Sequence, residues 1–341
     1  LHYPLRRQRQ MCIRDSFSGA DPENLISRDI PDTNRRVLTK SFRVPKNIHR
    51  VANALIHRCS RRIEKQYLPR DGDDGELAYS RSGDWKKPAA IVDGLEAEVA
   101  KEENQAASFM VLASCGYMLR PLMAELRTRG MAFHNPYRPA NGAWNPLRFG
   151  ERSTVNRLLS YTRETSRETT MSAPGWTWYD LDLWLGLVNS KGIIRHGMRK
   201  VITERATQPG KYTELGYNEW DEVFEVDALT AATQRKMSWL KSNAASGKRK
   251  SMELPLKMFA RGGEAALRLK PKIVVGTIHS VKGGEADNVY LFPDLSLQGG
   301  EQWIRRGPPR DSILRCFYVG ITRAKQKLTL LQPADGAIFV E

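Results

Sequence analysis

The sequence is short of cysteine, of long apolar runs and of acidic charge, and each shortage excludes something. Its four cysteines, Cys12, Cys59, Cys115 and Cys316, contain no pair at metal-ligand spacing and no disulfide framework. A reducing, cytoplasmic setting follows. The six histidines form no HExxH or other paired-ligand pattern, so no metal site is expected. No run of about 18 apolar residues occurs, so no membrane span is expected. The Arg-rich start has no apolar h-region and is not a secretory signal. Acidic residues are outnumbered 38 to 54 by Lys and Arg, giving a net charge of +16 and a pI near 9.8. A balance that basic points to a polyanionic partner, most simply nucleic acid.

What is present fits about two domains in 341 residues. Residues 1–16 carry neither helical nor strand periodicity and are set aside as a non-native or disordered tail. Arg36–Phe42 reads as a short strand, and Pro45 suits the first turn of a helix. Ile48, Val51, Ala52, Leu55 and Ile56 give that helix one apolar face. Residues 68–104 are polar and Gly/Asp-rich, with little reason to pack tightly. Ser108–Ser114 is a buried-strand candidate. A helix follows with Met118, Leu119, Leu122, Met123 and Leu126 inward, closed by Gly130, and then a strand at Met131–His134. This β-α-β rhythm implies a parallel sheet under helices. Residues 138–270 are helical in period and Trp-rich, with a basic stretch at Lys241–Lys250, and read as an inserted α-helical subdomain. From 271 the chain returns to strands at Ile273–Thr277, Asn288–Phe292 and Leu328–Leu331. A helix near Asp311–Lys325 has Asp311 or Ser312 as its N-cap.

Two segments carry chemistry. In VVGTIHSVKGGEADNVYLFPDL (Val274–Leu295) an apolar strand runs into Thr277, His279, Lys282, Gly283, Gly284 and Glu285. A loop leaving the C-terminal edge of a parallel sheet is a usual ligand site. Paired glycines let backbone approach a ligand closely, hydroxyls and N–H groups can hold phosphate oxygens, and Glu285 can accept from ribose hydroxyls. In FYVGITRAKQKLTL (Phe317–Leu330) Arg323 sits at a helix end, where it can point out of the domain at a phosphate.

Together these segments resemble motifs V and VI of superfamily 1 DNA helicases of the UvrD/Rep/PcrA group. SFRVPKNIHRVANALI (Ser41–Ile56) resembles motif IV, and FSGADPENLI (Phe17–Ile26) the tail of motif III. The resemblance implies a RecA-like parallel-sheet domain built from residues 17–137 and 271–341, with the helical subdomain 138–270 inserted. It implies that Arg43 and Arg323 contact the γ-phosphate of ATP and that Glu285, with Gly283 and Gly284, holds the nucleotide. Thr277, His279 and Lys282 would lie along single-stranded DNA, and Phe17 would stack on a base. The implied activity is ATP-dependent translocation on single-stranded DNA, 3′ to 5′, acting at DNA junctions with Mg²⁺ as cofactor.

The P-loop that such an activity needs is not among these residues. No GxxxxGK[ST] occurs; at Ser246-Gly247-Lys248-Arg249, Arg stands where Ser or Thr is required and Ser242 where the first Gly should be. The expectation is therefore the C-terminal part of a helicase. Its phosphate cradle, and most of its hold on Mg²⁺, would lie in an N-terminal RecA-like domain preceding Phe17. The alternative is a non-catalytic DNA-binding or regulatory protein built on half of a helicase.

Overall fold

The computed structural model of the chain describes residues 39–62, 64–166 and 173–341. Phe17 and the N-terminal tail lie outside them. The chain divides into two compact units. One takes the residues up to Glu125 together with Phe133–Trp144 and Lys272–Glu341, and the other takes Leu126–Ala132 and Asn145–Pro271.

The first unit holds, in chain order, α1 (Lys46–Ile56), β1 (Glu76–Tyr79), α2 (Ala89–Ala100), β2 (Phe109–Ala113), most of α3 (Leu119–Thr128) and β3 (Phe133–His134). The second unit contributes α4 (Thr154–Thr162), α5 (Trp178–Trp184), α6 (Met198–Arg205), α7 (Tyr217–Val223), α8 (Val226–Thr233), α9 (Met237–Ser242) and α10 (Ser246–Arg268). The chain then returns to the first unit with β4 (Ile273–Thr277), β5 (Ala286–Leu291), α11 (Leu297–Ile304), α12 (Pro308–Ile321) and β6 (Ala324–Leu330).

The six strands among the described residues are all parallel, in the order β1-β6-β5-β2-β4-β3. This is the α/β, RecA-like arrangement that the sequence implied. β2, in the middle, is Phe-Met-Val-Leu-Ala with every residue buried, as a strand covered on both faces must be. β6, nearer the edge, is buried only in part, and sends Lys325 to Asp287 (3.0 Å) and Lys327 to Glu76 (2.8 Å). Helices α1 and α12 pack their Ile48, Ala52, Leu55, Ile313, Leu314 and Phe317 into one core with Met110, Leu112, Val289 and Leu291.

Several expectations are corrected. Residues 68–104 are not loosely packed: they supply strand β1 and helix α2, which buries Ile91, Val92 and Leu95. The polar residues that hid this helix, Asp93 and Glu96 among them, are its outer face. Within Arg36–Phe42, the described residues make only a single parallel bridge, Lys40 to Leu68. The Ser41 hydroxyl accepts from Arg43 N–H (3.3 Å) and Val44 N–H (3.0 Å), which turns the chain out of a strand and into α1. Pro45 is the N-cap of that helix rather than inside its first turn. The last helix starts at Pro308 after Gly307, so neither Asp311 nor Ser312 caps it, and it ends at Ile321 rather than Lys325. β5 begins at Ala286 and β6 at Ala324, both earlier than their apolar runs indicated, while β3 is only Phe133–His134.

The second unit is built around aromatic rings. Trp184 stacks on Phe224 (centroids 5.9 Å, planes at 9°) and meets Trp176 at 5.0 Å and Tyr161 at 5.1 Å. Its helices carry their own start signals. Ser153 caps α4, and Thr177 with Asp180 forms a reciprocal capping box on α5. α10 is broken at Gly262-Gly263, where Gly263 takes φ 59. No helix among the described residues is long and apolar enough to cross a membrane.

A buried carboxyl marks the end of β5. Asp294 is fully buried; its Oδ1 accepts from Trp85 Nε1 (3.1 Å) and Ala334 N–H (2.9 Å), while Oδ2 has no partner. Burial raises its pKa, and the two N–H donors only partly oppose that. An acid whose folded pKa lies above its unfolded value destabilises the fold once it ionises. Stability is therefore lost as pH rises from about 4 through the folded pKa, and is not regained above it. Asp294→Asn should lose less melting temperature than wild type between pH 4 and neutrality. Parallel melting curves for the two would refute this.

Candidate nucleotide and nucleic-acid site

Three residues far apart in sequence meet in the first unit. Arg43 lies in the Ser41 turn before α1, Arg323 in the link between α12 and β6, and Glu285 immediately before β5. Arg43 Nη1 stands 3.6 Å from Glu285 Oε2, and both side chains are partly exposed. Arg43 Nε is buried and finds no hydrogen-bond partner. Arg323 is held firmly: Nε donates to Val319 O (2.9 Å) and Nη1 to Gly284 O (2.9 Å). Burial, and then the like charge of Arg43, bring its pKa down to about 10, with Glu285 acting in the opposite sense. It remains a cation at neutral pH. Arg323 is thus not the outward surface residue expected from its place at a helix end; it is 9 % exposed. Tyr318 stands nearby, its phenol pushed up to about 12 by burial and then by Tyr67, while Arg43 and Arg323 pull it down.

The turn from Thr277 to Glu285 begins and ends at different places. It leaves β4 at that strand's C-terminal end and re-enters the sheet at the start of β5. In an all-parallel sheet these are opposite edges, about 17 Å apart for strands of this length. The expectation that the whole loop sits at the C-terminal edge is therefore corrected. Thr277 lies there, and Glu285, with Arg323 before β6, lies at the N-terminal edge. The turn is tied down internally. Thr277 Oγ1 accepts from Ser280 N–H (3.1 Å), and Ser280 Oγ donates to Thr277 O (2.8 Å). Asn135, fully buried, donates to Val275 O (3.0 Å) and lies 3.2 Å from Ser280 Oγ. His279 is half-buried, with Nδ1 4.0 Å from Cys316 Sγ; burial, and then Lys282, lower its pKa, so the ring is neutral. Gly283 is exposed at φ 88, a conformation that favours glycine. Gly284 is a glycine for a different reason than expected: a Cβ there would overlap the Tyr137 ring, its Cζ at 2.4 Å.

Residues 258–332 match the family model of the UvrD-like helicase C-terminal domain. This stretch is a UvrD-like helicase C-terminal region. No curated protein matches the chain. The match supports a helicase-family role, and DNA binding, in general terms only. It spans Thr277, His279, Lys282, Gly283, Gly284, Glu285 and Arg323, and leaves Arg43 outside.

The geometry adds members to the UvrD-like region's surroundings that sequence reading missed. Asn135 carried no signal beyond its place after a short strand. Tyr137 covers Gly284 and is 38 % exposed. Phe42, beside Arg43, is 89 % exposed, which is unusual for phenylalanine and could have been read from its position in a polar turn. At the N-terminal edge, then, the Arg43 guanidinium, the Glu285 carboxylate and the rings of Phe42 and Tyr137 are at least partly exposed, and the Arg323 guanidinium is buried among them. That donor set fits a phosphate-bearing ligand with hydroxyls and a flat base. At the other edge Thr277 stands alone of the assigned residues, with His279 and Lys282 along the turn between.

Proposed function

We propose that this chain is the part of an ATP-dependent single-stranded DNA translocase, a 3′–5′ helicase by resemblance, that completes the nucleotide site and carries part of the DNA track. The observation that carries the reading is the convergence of Arg43, Glu285 and Arg323 at one edge of the sheet. Arg43 is partly exposed and meets Glu285 only at 3.6 Å, so its guanidinium can take a phosphate oxygen from outside. Glu285 would accept from the ribose hydroxyls, and Arg43 and Arg323 would stabilise the charge that develops on a transferring γ-phosphoryl group. Mg²⁺, needed for that chemistry, has no assigned carboxylate–hydroxyl pair in this set and would be held by a P-loop-bearing domain.

The reading also gives a reason for the two-edged turn. One short segment touches nucleotide at Glu285 and DNA at Thr277, so a shift at one end is passed along a hydrogen-bonded turn to the other. That is the mechanical requirement for coupling hydrolysis to movement. DNA junctions are the substrate class on which such movement separates strands.

Two measurements test this. The chain by itself should show no DNA-stimulated ATP hydrolysis, because it contains no GxxxxGK[ST] to cradle the triphosphate. It should bind single-stranded DNA weakly and with strong salt dependence, each neutralised phosphate adding about −0.7 to the slope of log K against log salt. Binding that did not weaken between low and moderate salt would withdraw the DNA half of the proposal. Steady hydrolysis abolished by Arg323→Ala would withdraw the division of labour.

A further inference from the structure

The C-terminal edge of the sheet carries more than Thr277. Gly116, just beyond β2, lies against both Thr277 and the Trp144 indole: a Cβ on it would stand 3.9 Å from Thr277 Cγ2 and 3.6 Å from Trp144 Cζ2. The next residue, Tyr117, is 42 % exposed. Tyr117 meets Trp85 edge-to-face, with centroids 5.5 Å apart and planes at 82°. Trp85 is fixed in turn by its Nε1 bond to Asp294, three residues past β5. Ser114 ties the same corner by donating to Asp294 O (2.7 Å). Lys86 Nζ stands 5.5 Å from the Trp85 ring centroid, and Lys86 and Lys87 are both exposed. Three aromatic side chains thus line one edge of the sheet across β4, β2 and β5, next to the residue assigned to DNA and with cations beside them.

This edge combines a ring fixed from beneath with rings left open to solvent. The buried Asp294 carboxyl holds the Trp85 indole and the Ala334 N–H with one oxygen and leaves the other without a partner. Tyr117 leaves much of its ring in water. Aromatic surface beside lysines suits a ligand with flat apolar faces strung on a polyanion. Single-stranded nucleic acid presents both, whereas a duplex hides its base faces in its own stack.

We propose that Trp144, Tyr117 and Trp85 form a base-stacking platform for single-stranded DNA along this edge, with Asp294 as the positioning residue for Trp85. The proposal rests on the DNA half of the reading above and names the part of the strand it leaves unspecified. Stacking adds affinity without releasing counterions, so it has a signature that a phosphate contact lacks.

The test is fluorescence anisotropy of a labelled oligothymidylate against the chain at several salt concentrations. Tyr117→Ala and Trp144→Ala should each weaken binding about tenfold at every salt, leaving the slope of log K against log salt as in wild type. Tyr117→Phe and Trp144→Phe keep a ring and should bind within about twofold of wild type, which also guards against misfolding of the alanine variants. Salt-dependent binding by wild type that both alanine variants retain in full would overturn the platform and leave the DNA track standing. Weakened binding with a flatter salt slope would overturn it too, since the residues would then be acting through phosphates. Absence of binding by wild type would overturn the platform and the underlying DNA reading together.

Discussion

Arg323→Lys and Arg43→Lys, in the chain completed by a P-loop-bearing domain, should each lower ATP turnover by roughly two orders of magnitude or more. Lysine keeps the charge but lacks the planar fork that grips two phosphate oxygens. The two variants should separate on stability. Arg323 bridges Val319 O and Gly284 O with two different nitrogens and is almost wholly buried. A single ammonium cannot reproduce both bonds, and a carbonyl left unpaired costs about 1–3 kcal/mol. Arg43 has only the 3.6 Å contact to Glu285 and is partly exposed, so its replacement should leave stability within about 1 kcal/mol. Single-stranded DNA affinity without nucleotide should not change in either, because both lie at the edge of the sheet away from Thr277. Turnover assays with melting curves decide the matter. Normal turnover in both variants would mean that the cluster is not a nucleotide site. Lost turnover in Arg323→Lys with unchanged melting would mean that its two carbonyl bonds do not hold it.

The contrast between the two arginines shows where sequence reading reaches and where it stops. That both occupy the ends of elements was legible, since apolar periodicity places α1 and α12 on either side of them. That one is buried and the other is not was not legible, because burial at a helix end depends on what the neighbouring loop brings, here the Gly284 carbonyl. The buried strand β2 was plain from five apolar residues in a row, and β4 from Ile273–Thr277. β1 and α2 were missed because they lie in a stretch, 68–104, whose connecting residues are polar and rich in Gly and Asp, so the segment as a whole hid the apolar residues that pack. In Asp93-Gly94 a helix-breaking residue even sits beside the apolar ones. The opposite placement of Thr277 and Glu285 could have been argued from the sequence. Two parallel strands joined by a short turn must put the turn's ends on different edges.

Asp311→Ala should be the most destabilising of the single changes considered, at about 3 kcal/mol or more. The residue was expected to cap a helix and instead lies within its first turns, 2 % exposed. There its carboxylate accepts from Ser60 N–H (2.9 Å), Ser60 Oγ (2.8 Å) and Arg61 N–H (3.0 Å), all in the turn that ends α1. Arg315, one turn along α12, lies 3.7 Å from the same carboxylate and donates to Arg61 O (2.6 Å). Removing the carboxylate leaves two backbone donors and a guanidinium facing an emptied site. Asp311→Asn keeps one acceptor oxygen but sets an NH₂ against donors, and should fall between alanine and wild type. The position also has a mechanical meaning. Helices α1 and α12 run antiparallel: the end of α1 meets the start of α12 at Asp311, and their other ends carry Arg43 and Arg323. Asp311 and Arg323 are twelve positions apart, with ten helical residues between them, about 18 Å. A clamp that distant acts on the pair of helices as a unit and not on the phosphate. In the chain completed by a P-loop-bearing domain, Asp311→Ala should therefore keep its turnover number below its melting temperature while its melting transition drops. A turnover loss as large as that of Arg323→Lys, measured well below melting, would show that the two helices transmit strain to the arginines. Melting like that of wild type would show that the turn after α1 is held by something other than this carboxylate.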